Sequence, residues 1–319
     1  MCVVKLARFL GAAIVALGWS LTLVAAGPAK AASVASLKVT VLSTMITDLQ
    51  GVGEWGYAAL VEVDGRRILF DTGARPDVVL ANARELRVDL SDVDDVVLSH
   101  NHADHTGGLL SLRKSVMARR QEALGRVHVA KAFFDPWRAP NPIHRQRPEL
   151  ESLGVRFVQH NSAVQLAPGI WLTGPVPRHT DEQNYSRGLL ADGAPAPDVP
   201  DDQALIIETR DGLVVITGCG HAGIVNIVDY ARQITGVRRV TAIIGGLHLF
   251  EATHERLDWT AARLRKAGVR YLLAGHCTGL EATYRLRAAM RLDRVAAVYG
   301  AVGATFEAGK GIDGRPIAR

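Results

Sequence analysis

The segment Ser99-His100-Asn101-His102-Ala103-Asp104-His105-Thr106-Gly107-Gly108 constrains this chain more than any other stretch of it. An apolar run from Asp95 to Ser99 leads into it and reads as a buried strand. A helix with Leu109, Leu112, Val116 and Met117 on one face follows it. In an extended segment residues i and i+2 point to the same side, so His100 and His102 can share one metal ion. Asp104 and His105 come after the chain begins to turn and can hold a second ion beside the first. Zinc accepts imidazole nitrogen and carboxylate oxygen at about 2.0–2.2 Å, which suits this donor set. Gly107 and Gly108 are expected to let the backbone turn tightly beneath it. A solvated loop that happens to hold histidines is the bland alternative, and the placement between an apolar strand and a helix start argues against it.

The second half of the chain offers single donors in a repeated setting. His221, His248 and His276 each follow a glycine-containing turn at the end of an apolar strand, in Gly218-Cys219-Gly220-His221, Gly245-Gly246-Leu247-His248 and Gly275-His276. Strand ends that meet at one sheet edge are where α/β folds build their sites. His221 is read as a ligand of the first ion or a bridging one, and His276 as a ligand of the second. His248 is a ligand, a support for a ligand or a substrate contact. Asp71, in Asp71-Thr72-Gly73, is expected to orient a ligand histidine or to hold its own turn. Cys219 and Cys277 adjoin these histidines, and a disulfide, a metal-facing thiol and an inert buried thiol are all open. His128, His144, His160, His179 and His254 receive no role, and His144 and His179 are read as solvated loop residues.

The surrounding pattern places these segments. Asp64-Gly65 between Tyr57–Val63 and Arg67–Phe70 predicts a tight hairpin, and Arg210-Asp211-Gly212 between Ala204–Glu208 and Leu213–Ile216 predicts another. Strand–loop–helix units follow each hairpin, and Val295–Tyr299 reads as the last strand. Residues 133–149 read as a long irregular lid or binding loop, and residues 179–202 as a second long loop. Hairpins followed by strand–helix units, twice over, predict an α/β architecture: a four-layer αβ/βα sandwich, two mixed sheets face to face with helices outside.

Residues 1–31 read as a signal peptide, with Lys5 and Arg8 before the apolar stretch Phe9–Ala26 and Ala29-Lys30-Ala31 as a cleavage site. An uncleaved anchor is the alternative. Residues 32–319 then form a single exported domain, periplasmic or secreted, with no membrane segment after cleavage. Three of the 37 basic residues and none of the 32 acidic ones precede residue 32, so the remainder carries a net charge of +2 rather than +5. That balance gives no case for a nucleic-acid partner. A small-molecule substrate is expected, and Arg138, Arg145 and Arg147 hint that it is anionic.

The motif His100-x-His102-x-Asp104-His105, with Gly107-Gly108 after it and Asp71-Thr72-Gly73 before it, resembles the metallo-β-lactamase superfamily. Glu54-Trp55-Gly56, Thr217–Ile224, Gly245–Leu249 and Gly275–Gly279 resemble one branch of it. That branch holds the dihydropterin–ribofuranosylaminobenzene phosphate synthases and many metallo-hydrolases. The resemblance implies the sandwich fold and one or two zinc ions, other divalent metals being open. It also implies a hydrolase that uses metal-bound hydroxide on an ester, amide or phosphate-type substrate. Asp104 would then be a ligand and the proton acceptor. Many relatives place a bridging aspartate in the second half, but here that strand end reads Gly218-Cys219-Gly220-His221. A transferase like the synthases is the second reading, although pterin-cofactor synthesis is cytoplasmic work and sits poorly with export. A non-catalytic zinc protein is the third, and β-lactam hydrolysis a narrow fourth.

Overall fold

Asp64 and Gly65 both adopt positive φ, 46° and 78°, the backbone of a tight two-residue hairpin turn. They join β2 (Ala58–Val63) to β3 (Arg66–Phe70), with β1 (Leu37–Ser43) antiparallel on the other side of β2. The computed structural model describes residues 1–2, 33–135, 141–182 and 199–318, and the expected signal peptide from residue 3 onward, Arg138 and most of the expected 179–202 loop lie outside these. The described residues from Ser33 onward form one compact unit. No described helix is long and apolar enough to cross a membrane.

After β3 come α1 (Val78–Glu85), β4 (Asp95–Val97), α2 (Ala103–Thr106), α3 (Leu109–Met117), β5 (Arg126–Ala130), α4 (Pro142–Ser152) and β6 (Arg156–His160). The second series begins with β7 (Val164–Ala167), β8 (Ile170–Leu172), β9 (Leu205–Thr209) and β10 (Gly212–Thr217). It continues with α5 (Ile224–Thr235), β11 (Val240–Gly245), α6 (His254–Ala267), β12 (Tyr271–Ala274), α7 (Leu280–Met290) and β13 (Ala297–Tyr299). The last strands are β14 (Thr305–Glu307) and β15 (Gly311–Asp313). The first sheet runs β15-β14-β1-β2-β3-β4-β5-β6 and the second β13-β12-β11-β10-β9-β8-β7.

Period-two alternation explains the layering. In β2, Ala59 and Val61 face the core between the sheets, whereas Ala58 and Leu60 face α1, α3 and α4. In β10, Val214 and Ile216 enter the inter-sheet core, while Leu213 and Val215 pack toward α5, α6 and α7. Each buried aliphatic side chain contributes about 1.5–3 kcal/mol, so both faces of the central strands favour one register. The result is the α/β four-layer sandwich expected from the sequence. β3 through β6 are parallel, as are β10 through β13. Their C-terminal ends therefore deliver Asp71, the His100–His105 segment, Cys219 and His221, His248 and His276.

Three expectations need correction. Residues 133–149 are not wholly irregular, because α4 starts at Pro142. Proline at a helix start loses no hydrogen bond, so the prolines there obscured a helix whose Ile143 and Leu150 are buried. Val295–Tyr299 is not the last strand, since β14 and β15 close the first sheet against β1. Gly107 and Gly108 have ordinary helical dihedrals. Glycine is required there by close approach: a Cβ at Gly107 would collide with the Ala74 carbonyl, and one at Gly108 with the Thr72 carbonyl. Gly107→Ala should therefore destabilise the protein by about 1–3 kcal/mol, the range for forcing extra atoms into a packed site. Urea unfolding measures this, and an unchanged midpoint would refute the steric account.

Candidate metal centre

The donors predicted from sequence converge at one edge of the sandwich. His100 follows β4 and is fully buried, with Nδ1 2.9 Å from Ser99 Oγ and Nε2 2.9 Å from His102 Nδ1. His102 is still extended (φ −91°, ψ 148°), so both rings lie on one side, 4.4 Å apart by centroid. The His221 ring sits 4.7 Å from His100 and 4.9 Å from His102. Asp104 and His105 lie on α2 and turn toward His276, whose Nε2 is 3.2 Å from Asp104 Oδ2. The His248 ring is 4.4 Å from that of His221. Cys219 and Cys277 are buried free thiols, and Cys219 Sγ lies 3.1 Å from His105 Nε2.

Asp71 supports this arrangement from beneath. Its carboxylate accepts from Ser99 N at 2.7 Å and Ser99 Oγ at 2.8 Å, and its Oδ2 lies 2.7 Å from His105 Nδ1. A proton on His105 Nδ1 leaves Nε2 as the free donor atom. Asp71, His248 and His276 all hold positive φ (57°, 49° and 48°), which is costly away from glycine. At His276 the strained turn is held by Thr44 Oγ1, which accepts from His276 N, and by Tyr299 OH, which donates to the His276 carbonyl.

The charge pattern suits a cation. Burial, and then the neighbouring His105, His102, His221 and His276, hold His100 well below its ordinary value, in the neutral form that binds metals. Burial raises the Asp104 carboxyl, but His105, His276 and His102 outweigh it and keep it well below the usual carboxylate range. Three donor groups among the described residues have atoms within 4.8 Å of one another: Asp104, His105, Cys219 and His276; His100, Cys219 and His221; and Cys219, His248 and Cys277. Imidazoles, one carboxylate and thiols in such groups fit a divalent metal such as zinc.

Apart from Glu54, which stands in the Glu54-Trp55-Gly56 motif, the supporting residues had no usable signal in the sequence. Glu54 is buried and accepts from Ser43 Oγ, Ala74 N and Arg75 N, tying the Trp55 segment to the turn after β3. Asp201 Oδ2 accepts from Asn101 N at 2.7 Å, and Asp202 Oδ2 accepts from Ala222 N at 2.9 Å. Adjacent acids in a loop thus hold donor segments from both halves of the chain. His144, expected in solvent, is half-buried with Nε2 3.0 Å from Asn101 Nδ2. Arg147 pairs with Glu151 and stacks on Phe134, so it is turned to that pairing rather than to the metal donors.

Burial pushes the Asp201 carboxyl up to about 8, against the pull of the Asn101 N–H. An unfolded aspartate titrates near about 3.9, so this group's contribution to stability is full below that pH. It is lost as pH rises through the folded value. Asp201→Asn should flatten that part of the stability–pH curve, as read by urea unfolding across the range. An identical slope in both proteins would rule it out.

An open cleft of about 550 Å³ overlies the donors, lined by Trp55, Ala74, His102, Ala103, Asp104, Asn141, Cys219, His248, His276 and Cys277. The half-exposed Trp55 ring stands 5.3 Å from His276 and 5.7 Å from Phe250, forming an apolar wall. A larger groove of about 880 Å³ beside α3 holds neither histidine nor cysteine.

Known proteins share sequence and fold with this chain. The model of the metallo-beta-lactamase superfamily matches residues 56–276. A Methanocaldococcus jannaschii protein named 7,8-dihydropterin-6-methyl-4-(beta-D-ribofuranosyl)-aminobenzene-5'-phosphate synthase is 34% identical over 242 residues, 71% of this chain and 82% of its own length. The crystal structure of Tm1679, described as a metal-dependent hydrolase of the beta-lactamase superfamily, is 27% identical with a TM-score of 0.60, covering 79% of this chain and 92% of that one. The metallo-beta-lactamase fold protein YhfI from Bacillus subtilis shares the fold at 13% identity and a TM-score of 0.53, over 85% of this chain and 99% of its own.

Proposed function

The chain belongs to the metallo-β-lactamase superfamily, and from that premise we propose that it is a zinc-dependent hydrolase of an ester, amide or phosphate-type small molecule. The observation that carries this reading is the position of Asp104. Its carboxylate sits among candidate donors from both halves of the chain and also lines the cleft. His100, His102 and His221 would hold one ion, and Asp104, His105 and His276 a second. A divalent ion held there supplies a Lewis acid and lowers the pKa of a coordinated water.

The chain's own residues do the rest. Asp104 remains ionised, accepts a hydrogen bond from the attacking water and orients it. Asp71 holds the His105 ring in one orientation through Nδ1. Trp55 and Phe250 offer an apolar face to the substrate and restrict water on that side. We place this activity outside the cytoplasm, on the order of basic, apolar and small residues in positions 1–31.

The synthase relative supports a second reading, a transferase that uses an acceptor other than water. A panel of phosphate esters, lactones and thioesters assayed with 18O-labelled water separates the two. The hydrolase reading expects labelled product, loss of turnover on chelation and recovery with zinc. Product formed only when an aromatic acceptor is added would replace it with the transferase, and full activity after chelation would end both.

A further inference from the structure

Cys219 occupies a place in the donor set that no other residue shares. Donor atoms within 4.8 Å of one another form three groups among the described residues: Asp104, His105 and His276; His100 and His221; and His248 and Cys277, each with Cys219. Only Cys219 belongs to more than one of them. It is buried, directly follows β10 through Gly218, and its Sγ lies 3.1 Å from His105 Nε2.

The backbone around the thiol is built for close approach. A Cβ at Gly218 would run into Ser99 Oγ and the Asp71 carboxylate. A Cβ at Gly246 would run into the Gly218 carbonyl and come within 2.9 Å of Cys277 Sγ and 3.3 Å of Cys219 Cα. Glycine at 218 lets the end of β10 pass close to Ser99 and Asp71, and glycine at 246 lets the end of β11 pass close to the Gly218–Cys219 backbone.

We infer that the Cys219 thiolate bridges two divalent ions, one held with Asp104, His105 and His276 and the other with His100 and His221. This inference rests on the metal-dependent reading above and assigns the donor that joins the two halves. On loading, the S–H bond breaks, the proton leaves to solvent, and two sulfur lone pairs bond the two ions. A metal ion deprotonates a coordinating thiol outright, and zinc–sulfur bonds run to about 2.3 Å. The bridge makes the centre selective for thiophilic ions, zinc or cobalt over magnesium or manganese.

Cobalt(II) titration of the metal-free protein, followed by absorption spectroscopy, tests the bridge without reference to turnover. A thiolate-to-cobalt charge-transfer band should grow through both the first and the second equivalent. Cys219→Ala should abolish it and lose the second ion, whereas Cys277→Ala should keep it. Cys219→Asp should recover the second ion without the band, and circular dichroism checks that each variant folds. A band that survives in Cys219→Ala, or that saturates at the first equivalent of the wild type, overturns the bridge. If the wild type binds cobalt with no such band, the bridge fails while the metal-dependent reading stands. If it binds neither cobalt nor zinc, both fall. The wild-type titration decides the matter even if Cys219→Ala does not fold.

Discussion

His221→Ala is expected to strip the protein of at least one tightly held ion and to lower hydrolytic turnover by about a thousandfold or more. Lewis-acid stabilisation is worth several kcal/mol, and each 1.36 kcal/mol is about a factor of ten in rate. His102→Ala should behave alike, because its ring lies 4.9 Å from that of His221 although the two come from opposite halves of the chain. The stability signature is more diagnostic than the rate. Without metal, the crowded imidazoles repel one another whenever they take up protons, and His221 is among the groups that push His100 down. Removing His221 relieves that repulsion but leaves a cavity in a buried site, opposing effects that make the metal-free difference smaller than the zinc-dependent one. The zinc-loaded wild type should gain stability that the variant cannot, about 4 kcal/mol when zinc exceeds its dissociation constant a thousandfold. Metal analysis with thermal unfolding, plus and minus zinc, reads both effects. Variants that keep full metal and full turnover would mean that these residues are not ligands.

Asp71→Ala should produce the second large effect, and it should do so through stability as well as metal affinity. The carboxylate is fully buried and serves Ser99 N, Ser99 Oγ and His105 Nδ1 together. Truncation strands these partners in the interior, a loss of about 3–5 kcal/mol for a broken buried charged pair. It also leaves a non-glycine residue without a polar side chain at φ 57°. Freed from Asp71, the His105 ring can turn, and metal affinity should fall by about 10–100-fold. Asp71→Asn tolerates the same backbone and keeps one oxygen acceptor, so it should lose less stability while still weakening metal binding. Urea unfolding and competition with a chelator of known affinity separate the two losses. An Asp71→Ala protein with native metal affinity would show that His105 is oriented by something else.

The parts of this molecule that were legible in the sequence are those whose cause is local. The Asp64-Gly65 hairpin follows from residues that accept positive φ, and the shared side of His100 and His102 from the two-residue period of an extended chain. The helix after Gly108 follows from the spacing of Leu109, Leu112 and Val116. Local signals also misled. Pro142 and its neighbouring prolines suggested an irregular loop where a helix begins, and Gly107 suggested a turn where the need was room beside Ala74. The short β14 and β15 carry too little periodicity to be read alone, and they become strands because the edge of β1 offers them hydrogen-bond partners.

The histidine-rich segment from 100 to 105 therefore determined, by sequence alone, one half of a candidate metal centre and the family of folds that could display it. Tertiary structure decided the other half. Only the pairing of β10, β11 and β12 brings Cys219, His221, His248 and His276 to the same edge, and only sheet-on-sheet packing sets Cys219 beside His105. The same packing lets Asp201 and Asp202 hold both donor turns at once. Such meetings between distant segments are selected by the burial of strand faces and by backbone hydrogen bonding, which act over the whole domain and leave no mark on any short stretch of residues.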